Sequence, residues 1–324
     1  MTHRALVTGA SGFVGRRLKE RLEDEGFEVV ALRRPGSPPT SSASVQSSYD
    51  DLPNLTRIMK EVRPDYVFHV AGVTKGVRYE DFWRGNVMPT QNLLQALREG
   101  HPEVRRFVHV SSLTSYGPST AARPLGEDDP RRPVEHYGRS KLEAEQAVEE
   151  ERELPWTIVR PAGVYGPGDV DYFELFKLTR RGLNLFYGNR HRYKSVIYVD
   201  DCVRAIHMAA TSERTIGEGY FLSDGAPLTW ERFQRHVLDA VGRRALTLNL
   251  PEGLVYLAGV GGEIATRIDG KPRLFNRQKA RLGAQEAWTC SAAKAKAHFG
   301  FEATVLPPEG TRRTHAWYLS QGWY

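Results

Sequence analysis

The feature that most constrains this chain is the stretch VTGASGFVGRRL, residues 7–18. In it Gly9, Gly12 and Gly15 recur at intervals of three between an apolar run and an amphipathic one. RALVTG (4–9) has the length and content of a buried strand. FVGRRLKERLEDEG (13–26) has the spacing of an amphipathic helix that stops at Gly26. Glycines between the two allow a tight turn, a close backbone approach to a pyrophosphate, and close packing of helix on strand, with the helix N-terminus facing the anion. A purely structural turn is the alternative reading.

The rest of the first half keeps the same rhythm. Strands are expected at 28–34, near 45–48, at 64–72, 104–112 and 156–166. Helices are expected at 89–100, where Pro89 suits a helix start, and from Tyr137 onward. Strands alternating with helices imply an α/β fold, a Rossmann-type doubly wound parallel sheet with helices on both faces. The Pro- and Ser-rich stretch 33–48 reads as a mobile loop or as a flap near a cofactor. After about residue 165 the rhythm becomes irregular. Residues 1–165 are therefore read as a dinucleotide-binding domain completed by later segments near 195–210, and 166–324 as mainly a smaller C-terminal α/β substrate-binding domain. The apolar stretch 251–268 suits a pocket-lining helix or simple core packing.

The formal charge of the 324 residues is +6, from 45 Lys and Arg against 39 Asp and Glu, without long basic blocks. That balance suits a phosphate-bearing small molecule better than nucleic acid. Two cysteines, Cys202 and Cys290, suggest no disulfide framework and a reducing, cytoplasmic setting. The N-terminal residues carry no signal-like apolar region. No apolar run approaches the roughly 18 residues that cross a bilayer, so no membrane partner is expected. No His-Glu-x-x-His or paired-Cys spacing points to a metal, and no Gly-x-Ser-x-Gly elbow points to a hydrolase. Asp200 and Asp201 read as a helix N-cap, with Cys202 and His207 packed along that helix.

The second strand ends at Arg33 and Arg34, where NAD-preferring sites place an acidic residue on the adenosine ribose. An arginine there can neutralise a 2′-phosphate and stack on adenine, so NADP is the expected cofactor and NAD the alternative. In EHYGRSKLEAEQA (135–147), Tyr137 and Lys141 fall four apart on a helical pattern and so share one face. A phenol has a pKa of about 10, and a neighbouring ammonium favours its phenolate, which brings it towards a useful range for proton transfer.

The glycine turn, NVMPTQNLLQA (86–96), SSLTSYG, YGRSK and RPAGVYGPGD occur in this order, and together they resemble the extended short-chain dehydrogenase/reductases, in particular the NAD-dependent epimerase/dehydratase branch. The resemblance covers most of the chain and is most specific over residues 5–170. It implies a catalytic set of Ser112, Tyr137 and Lys141. Tyr137 would be the general acid/base, Lys141 the holder of the nicotinamide ribose, and Ser112 the donor to the substrate oxygen. It also implies cofactor contacts from Gly9, Ser11, Gly12, Phe13, Val14, Gly15, Arg33, Arg34, Val70, Ala71, Gly72, Asn86, Tyr137, Lys141, Pro161, Ala162 and Val164. A homodimer through helices of the dinucleotide half is a further implication.

Some positions depart from the branch. Its dehydratases carry Asp-Glu after the Ser/Thr, whereas Leu113 and Thr114 follow Ser112, so dehydratase chemistry is not expected. Its epimerases grip a diphosphate with an arginine shortly before the strand in SVIYVDD (195–201); here Lys194 is nearest and Arg192 lies two residues earlier. Arg281 has no matching aspartate. Ser48 stands where an acidic residue often faces adenine, with Asp50 and Asp51 displaced, and Lys75 reads as a surface residue. Three functions follow from these residues. The first is an NADP-dependent oxidoreductase acting on a secondary alcohol or ketone. The second is a nucleotide-sugar epimerase that retains NAD(P). The third, a non-catalytic scaffold, is disfavoured because Tyr137 and Lys141 are both kept.

Overall fold

The computed structural model describes residues 2–37, 42–253 and 283–324. The first eleven strands, in chain order, are β1 (Arg4–Thr8), β2 (Glu28–Arg33), β3 (Ala43–Gln46), β4 (Tyr66–His69), β5 (Arg106–Val110), β6 (Trp156–Pro161), β7 (Gly163–Tyr165), β8 (Leu183–Tyr187), β9 (Tyr193–Lys194), β10 (Val196–Tyr198) and β11 (Glu218–Leu222). Seven of them form one parallel sheet in the order β11-β6-β5-β4-β1-β2-β3. The central strands are apolar on both faces because both are covered, and every residue of β4 and β5 is buried.

One face carries α2 (Leu52–Val62), α4 (Met88–Gly100) and α5 (His136–Glu149), whose Leu55, Ile58, Leu93, Leu97 and Val148 pack on Leu6, Val67, Phe107 and Ile158. The opposite face carries α1 (Phe13–Asp24) and α7 (Val199–Thr211), whose Leu18, Leu22, Val203 and Ile206 pack on Val7, Phe68, Val108 and Val159. Helix α1 ends where expected, with Gly26 in the left-handed region at φ 82°.

The single apolar run predicted over 156–166 is two strands. Pro161 has no N–H to extend the ladder, and after Ala162 the chain turns out of the large sheet as β7, which pairs with β10. The seventh strand of the large sheet, β11, comes from sequence well past residue 165. The N-cap of α7 is Tyr198, without a side-chain bond, so Asp200 and Asp201 are not the cap. Both lie in the first turn, where carboxylates complement the helix dipole. Asp200 takes Arg17 of α1, and Asp201 accepts the backbone N–H groups of Thr304 and Val305. Cys202 and Cys290 are buried and free.

A second cluster packs against this framework. It joins Tyr165, Phe176 of α6 (Phe173–Arg180), Tyr198, Phe233 of α8 (Trp230–Val241), and Tyr318 of the C-terminal helix Pro307–Ser320. The expected helix at 251–268 lies, from residue 254 on, outside the described residues, as does Arg281.

The turn after β1 is as tight as its glycines require. A Cβ on Gly15 would stand 2.1 Å from the Gly9 carbonyl oxygen, and one on Gly9, at φ 69°, would stand 2.7 Å from the Ala71 nitrogen. Both neighbours are backbone and cannot swing aside. Gly15→Ala should therefore cost about 3 kcal/mol or more of unfolding free energy, read by urea denaturation. A loss below about 0.5 kcal/mol would show that α1 does not need this approach.

Candidate active site

A cavity of about 750 Å³ runs along the C-terminal ends of the strands, where ligands bind in open α/β sheets. Its floor is the turn from Gly9 to Gly15, with Ser11, Phe13 and Val14. Gly12 is the helix N-cap and makes no side-chain bond. A Cβ there would meet only the Gly9 carbonyl, at 3.3 Å, so its lack of a side chain mainly leaves room in the cleft. The unpaired N–H groups that begin α1 face that room, and this cradle fits a dinucleotide pyrophosphate.

Helix α5 brings the chemistry. Its N-cap is Glu135, whose carboxylate accepts the Tyr137 N–H at 2.6 Å and also that of Gly138. A Cβ on Gly138 would stand 2.3 Å from the Thr114 carbonyl oxygen. That bare position lets the start of α5 press on the turn Leu113–Ser115, which Ser112 caps. The result sets the Tyr137 phenol beside Ser112, on the wall of the same cavity. Ser112 Oγ also accepts from the Thr114 N–H at 3.2 Å and the Thr114 hydroxyl at 3.0 Å. One helical turn on, Lys141 is 3% exposed and donates to the Val110 carbonyl at 2.8 Å.

Burial dominates both titrations in the protein alone. It pushes the Tyr137 phenol up to about 12, against the nearby Ser112 hydroxyl, which favours phenolate. It pulls the Lys141 ammonium down to about 8, against the carboxylate of Glu145, which favours the charged form.

A buried row of polar groups holds the neighbouring loop. The Thr8 hydroxyl accepts the Ala71 N–H at 3.0 Å and bonds His69 Nδ1 at 2.9 Å; His69 Nε2 bonds the Thr90 hydroxyl at 3.0 Å. Burial, with Lys141 nearby, lowers His69 to about 3, so the ring is neutral. The chain passes from a short helix, α3 (Tyr79–Phe82), into α4 through a π-helical turn, Trp83–Val87, and Asn86 sits on it. Asn86 Oδ1 accepts the Val73 N–H at 2.7 Å, and its Nδ2 donates to the Val73 carbonyl at 3.0 Å and to Ser140 Oγ at 2.8 Å.

Every residue predicted to catalyse or to hold the cofactor lines the cavity except Asn86, which lies beneath it and pins Val73. At one end stand Arg33 and Arg34, with Ser48, Tyr49 and Asp50. Arg33 donates to Ser44 Oγ at 3.2 Å and to the Ser37 carbonyl, while Arg34 is exposed. Asp51 caps α2 instead.

A match to the family described as "NAD dependent epimerase/dehydratase family" spans residues 5–221, about two thirds of the chain. The chain belongs to that family of extended short-chain dehydrogenase/reductases. A ceramide reductase from Caulobacter vibrioides is 28% identical over 98% of this chain and 95% of its own. A 2-alkyl-3-oxoalkanoate reductase from Shewanella oneidensis is 26% identical over 96% and 85%. A UDP-glucose 4-epimerase structure from Thermotoga maritima superposes with a TM-score of 0.81 at 23% identity, covering 98% of this chain and 99% of that one, which shows the shared fold.

Against the family pattern, the roles of three groups were not readable from sequence. Thr114, which stands where the dehydratases carry a carboxylate, instead donates to Ser112. Asp169, Val170 and Asp171 form the far lip of the cleft, and Asp171 pairs with Lys75 at 3.0 Å across it. Lys194 does not face the cavity: its ammonium donates to the Tyr172 hydroxyl at 2.9 Å and lies 3.9 Å from the centre of the Trp230 ring and 4.8 Å from that of Phe233. A cation held on three rings was readable only as a lone lysine near aromatics distant in sequence.

The Lys141 shift carries a signature in stability. Its folded value, about 8, lies below the unfolded 10.5, so the unfolded chain binds the extra proton between those values and stability rises with pH there. Wild type should gain about 3 kcal/mol over Lys141→Met between pH 7.5 and pH 10.5, by urea unfolding. A constant difference would mean that Lys141 titrates normally.

Proposed function

We propose that this chain is an NADP-dependent ketoreductase, reversibly interconverting a ketone and a secondary alcohol at Ser112, Tyr137 and Lys141. The observation that carries the proposal is the placement of these three side chains at one end of a cavity whose other end holds Arg33 and Arg34. The glycine turn would hold the pyrophosphate, Arg33 and Arg34 the 2′-phosphate, and Lys141 the nicotinamide ribose, with Val70 to Gly72, Pro161, Ala162 and Val164 flanking. When bound, the dinucleotide supplies the hydride that reaches the substrate carbon. Tyr137 delivers the proton to the substrate oxygen, and Ser112 donates a hydrogen bond to that oxygen as charge develops on it. Lys141, as an ammonium, favours the phenolate that Tyr137 becomes. The residues before about 165 serve the dinucleotide, and those after it mainly serve the substrate.

The choice of a ketone over a nucleotide sugar draws support from Lys194 and Arg192. Lys194 is occupied by Tyr172, Trp230 and Phe233. Arg192 donates to the Gly283 carbonyl at 2.6 Å and pairs with Glu252. Neither cation is left to grip a diphosphate. The names of the reductase relatives point the same way, towards a ketone on an acyl-type chain. Epimerisation with a retained cofactor is the second reading, supported by the epimerase fold match. We place the enzyme in the cytoplasm, acting on a small molecule, with the helices of the dinucleotide half as the dimer face. Among the described residues no helix is long and apolar enough to cross a membrane.

Titrated by fluorescence, NADPH should bind at least tenfold more tightly than NADH, and Arg34→Ala should remove most of that preference. Tyr137→Phe should keep NADPH binding and lose roughly 10²–10⁴ in turnover. Against a panel of 3-oxoacyl ketones and UDP-sugars, consumption of one NADPH per ketone reduced supports the reductase. Sugar interconversion without net NADPH loss would replace it with the epimerase.

A further inference from the structure

Glu145 stands one helical turn beyond Lys141 on α5 and is fully buried. Its Oε1 accepts from the Ser111 hydroxyl. Its Oε2 accepts from Arg160 Nε at 3.0 Å and Nη2 at 2.9 Å, and from Arg131 Nη1 at 3.1 Å. Arg131 and Arg160 both reach on to Glu149. The donors come from distinct segments. Ser111 immediately precedes Ser112 at the end of β5. Arg160 precedes Pro161 at the end of β6. A buried carboxylate is tolerated only when its oxygens are fully engaged, so these segments are held wherever Glu145 holds them.

We propose that Glu145 is the positioning residue of this site: one carboxylate sets the spacing of the segments that carry Ser112, Tyr137 with Lys141, and Pro161, and stands as the buried anion one helical turn from Lys141. The proposal rests on the catalytic reading of Lys141 given above. The groups facing Lys141 are few. From β4 and β5 come His69 and His109, both kept neutral by burial. From α5 come the Tyr137 phenol and Glu145. From β6 comes Arg160, with Arg131 and Glu149 behind it. Asn86, on the π turn, is uncharged. Glu145 is the anion of this set whose field raises the affinity of Lys141 for its proton. Removing its charge also leaves Arg160, 3% exposed, less compensated, and both changes disfavour the ammonium.

The test is a direct titration of Lys141 by carbon NMR of lysine-labelled protein without cofactor or substrate, the signal being assigned by its loss in Lys141→Met. In Glu145→Gln, which keeps the shape and an acceptor for Ser111, the midpoint should fall by about one pH unit. In Glu145→Gln with Arg160→Gln it should recover at least half of that fall. Arg131→Met removes a part-exposed cation and should shift the midpoint upward, and it serves if the Glu145 variants do not fold. The NADPH dissociation constant at pH 8 should weaken about fivefold in Glu145→Gln, following the lost ammonium. An unmoved Lys141 midpoint in Glu145→Gln, or no upward shift in Arg131→Met, overturns the proposal. A wild type that titrates as expected but reduces no ketone overturns the function and leaves the electrostatic role of Glu145 standing.

Discussion

The molecule depends on a contact between two stretches of backbone, made where side chains are missing. Gly15 on α1 rests against the carbonyl of Gly9 at the end of β1, and Gly9 in turn lies against Ala71 at the end of the neighbouring strand. The contact fixes where the α1 N-terminus points and how near the loop after β4 comes to it. The loop is then held from below, by Thr8 on Ala71 and by Asn86 on Val73. The opposite wall is set by a similar device, with Gly138 allowing α5 to press on the turn that carries Ser112. A binding cleft in a parallel sheet is thus a matter of where helices are permitted to approach.

Electrostatics then decides what the cleft can do. Lys141, His69 and His109 lie together under the sheet ends, and desolvation removes charge from each in turn. The histidines give up their charge to burial, and His69 is satisfied as a neutral ring between two threonines. The lysine is left with its proton under contest, opposed by burial and supported by Glu145. Elsewhere the fold withdraws a cation from service: Lys194 is pulled down to about 7 by burial, while the faces of Tyr172, Trp230 and Phe233 favour its charged form. A positive side chain in the right part of the sequence is therefore no measure of positive potential in the cavity.

The parallel sheet and the glycine turn were legible because both are local. Strand runs, helix periods and glycine spacing each involve neighbours in the chain. The residues carried over from the family pattern at Ser112, Tyr137 and Lys141 sit at one wall because two short segments, 111–117 and 135–141, travel as rigid pieces. The features that escaped involve partners far apart: β11 joining the large sheet beside β6, Asp201 holding the backbone at Thr304 and Val305, Lys75 meeting Asp171. Asn86 shows the boundary between the two cases. Its place near the cofactor loop was readable, but its use as a clamp on Val73 follows from the π turn that rotates it beneath the cavity.

By itself the sequence determined a strand, a glycine turn and a helix in that order, alternation enough for a doubly wound sheet, and a tyrosine and a lysine on one helical face. These follow from backbone sterics and periodicity, which act over a few residues. Only the tertiary structure decided which charges the cavity keeps. It left Arg34 exposed at one end, enclosed Lys194 in aromatic rings and set Glu145 behind Lys141. The strength and even the sign of a charge's effect depend on its burial and its partners, and both are properties of the packed whole.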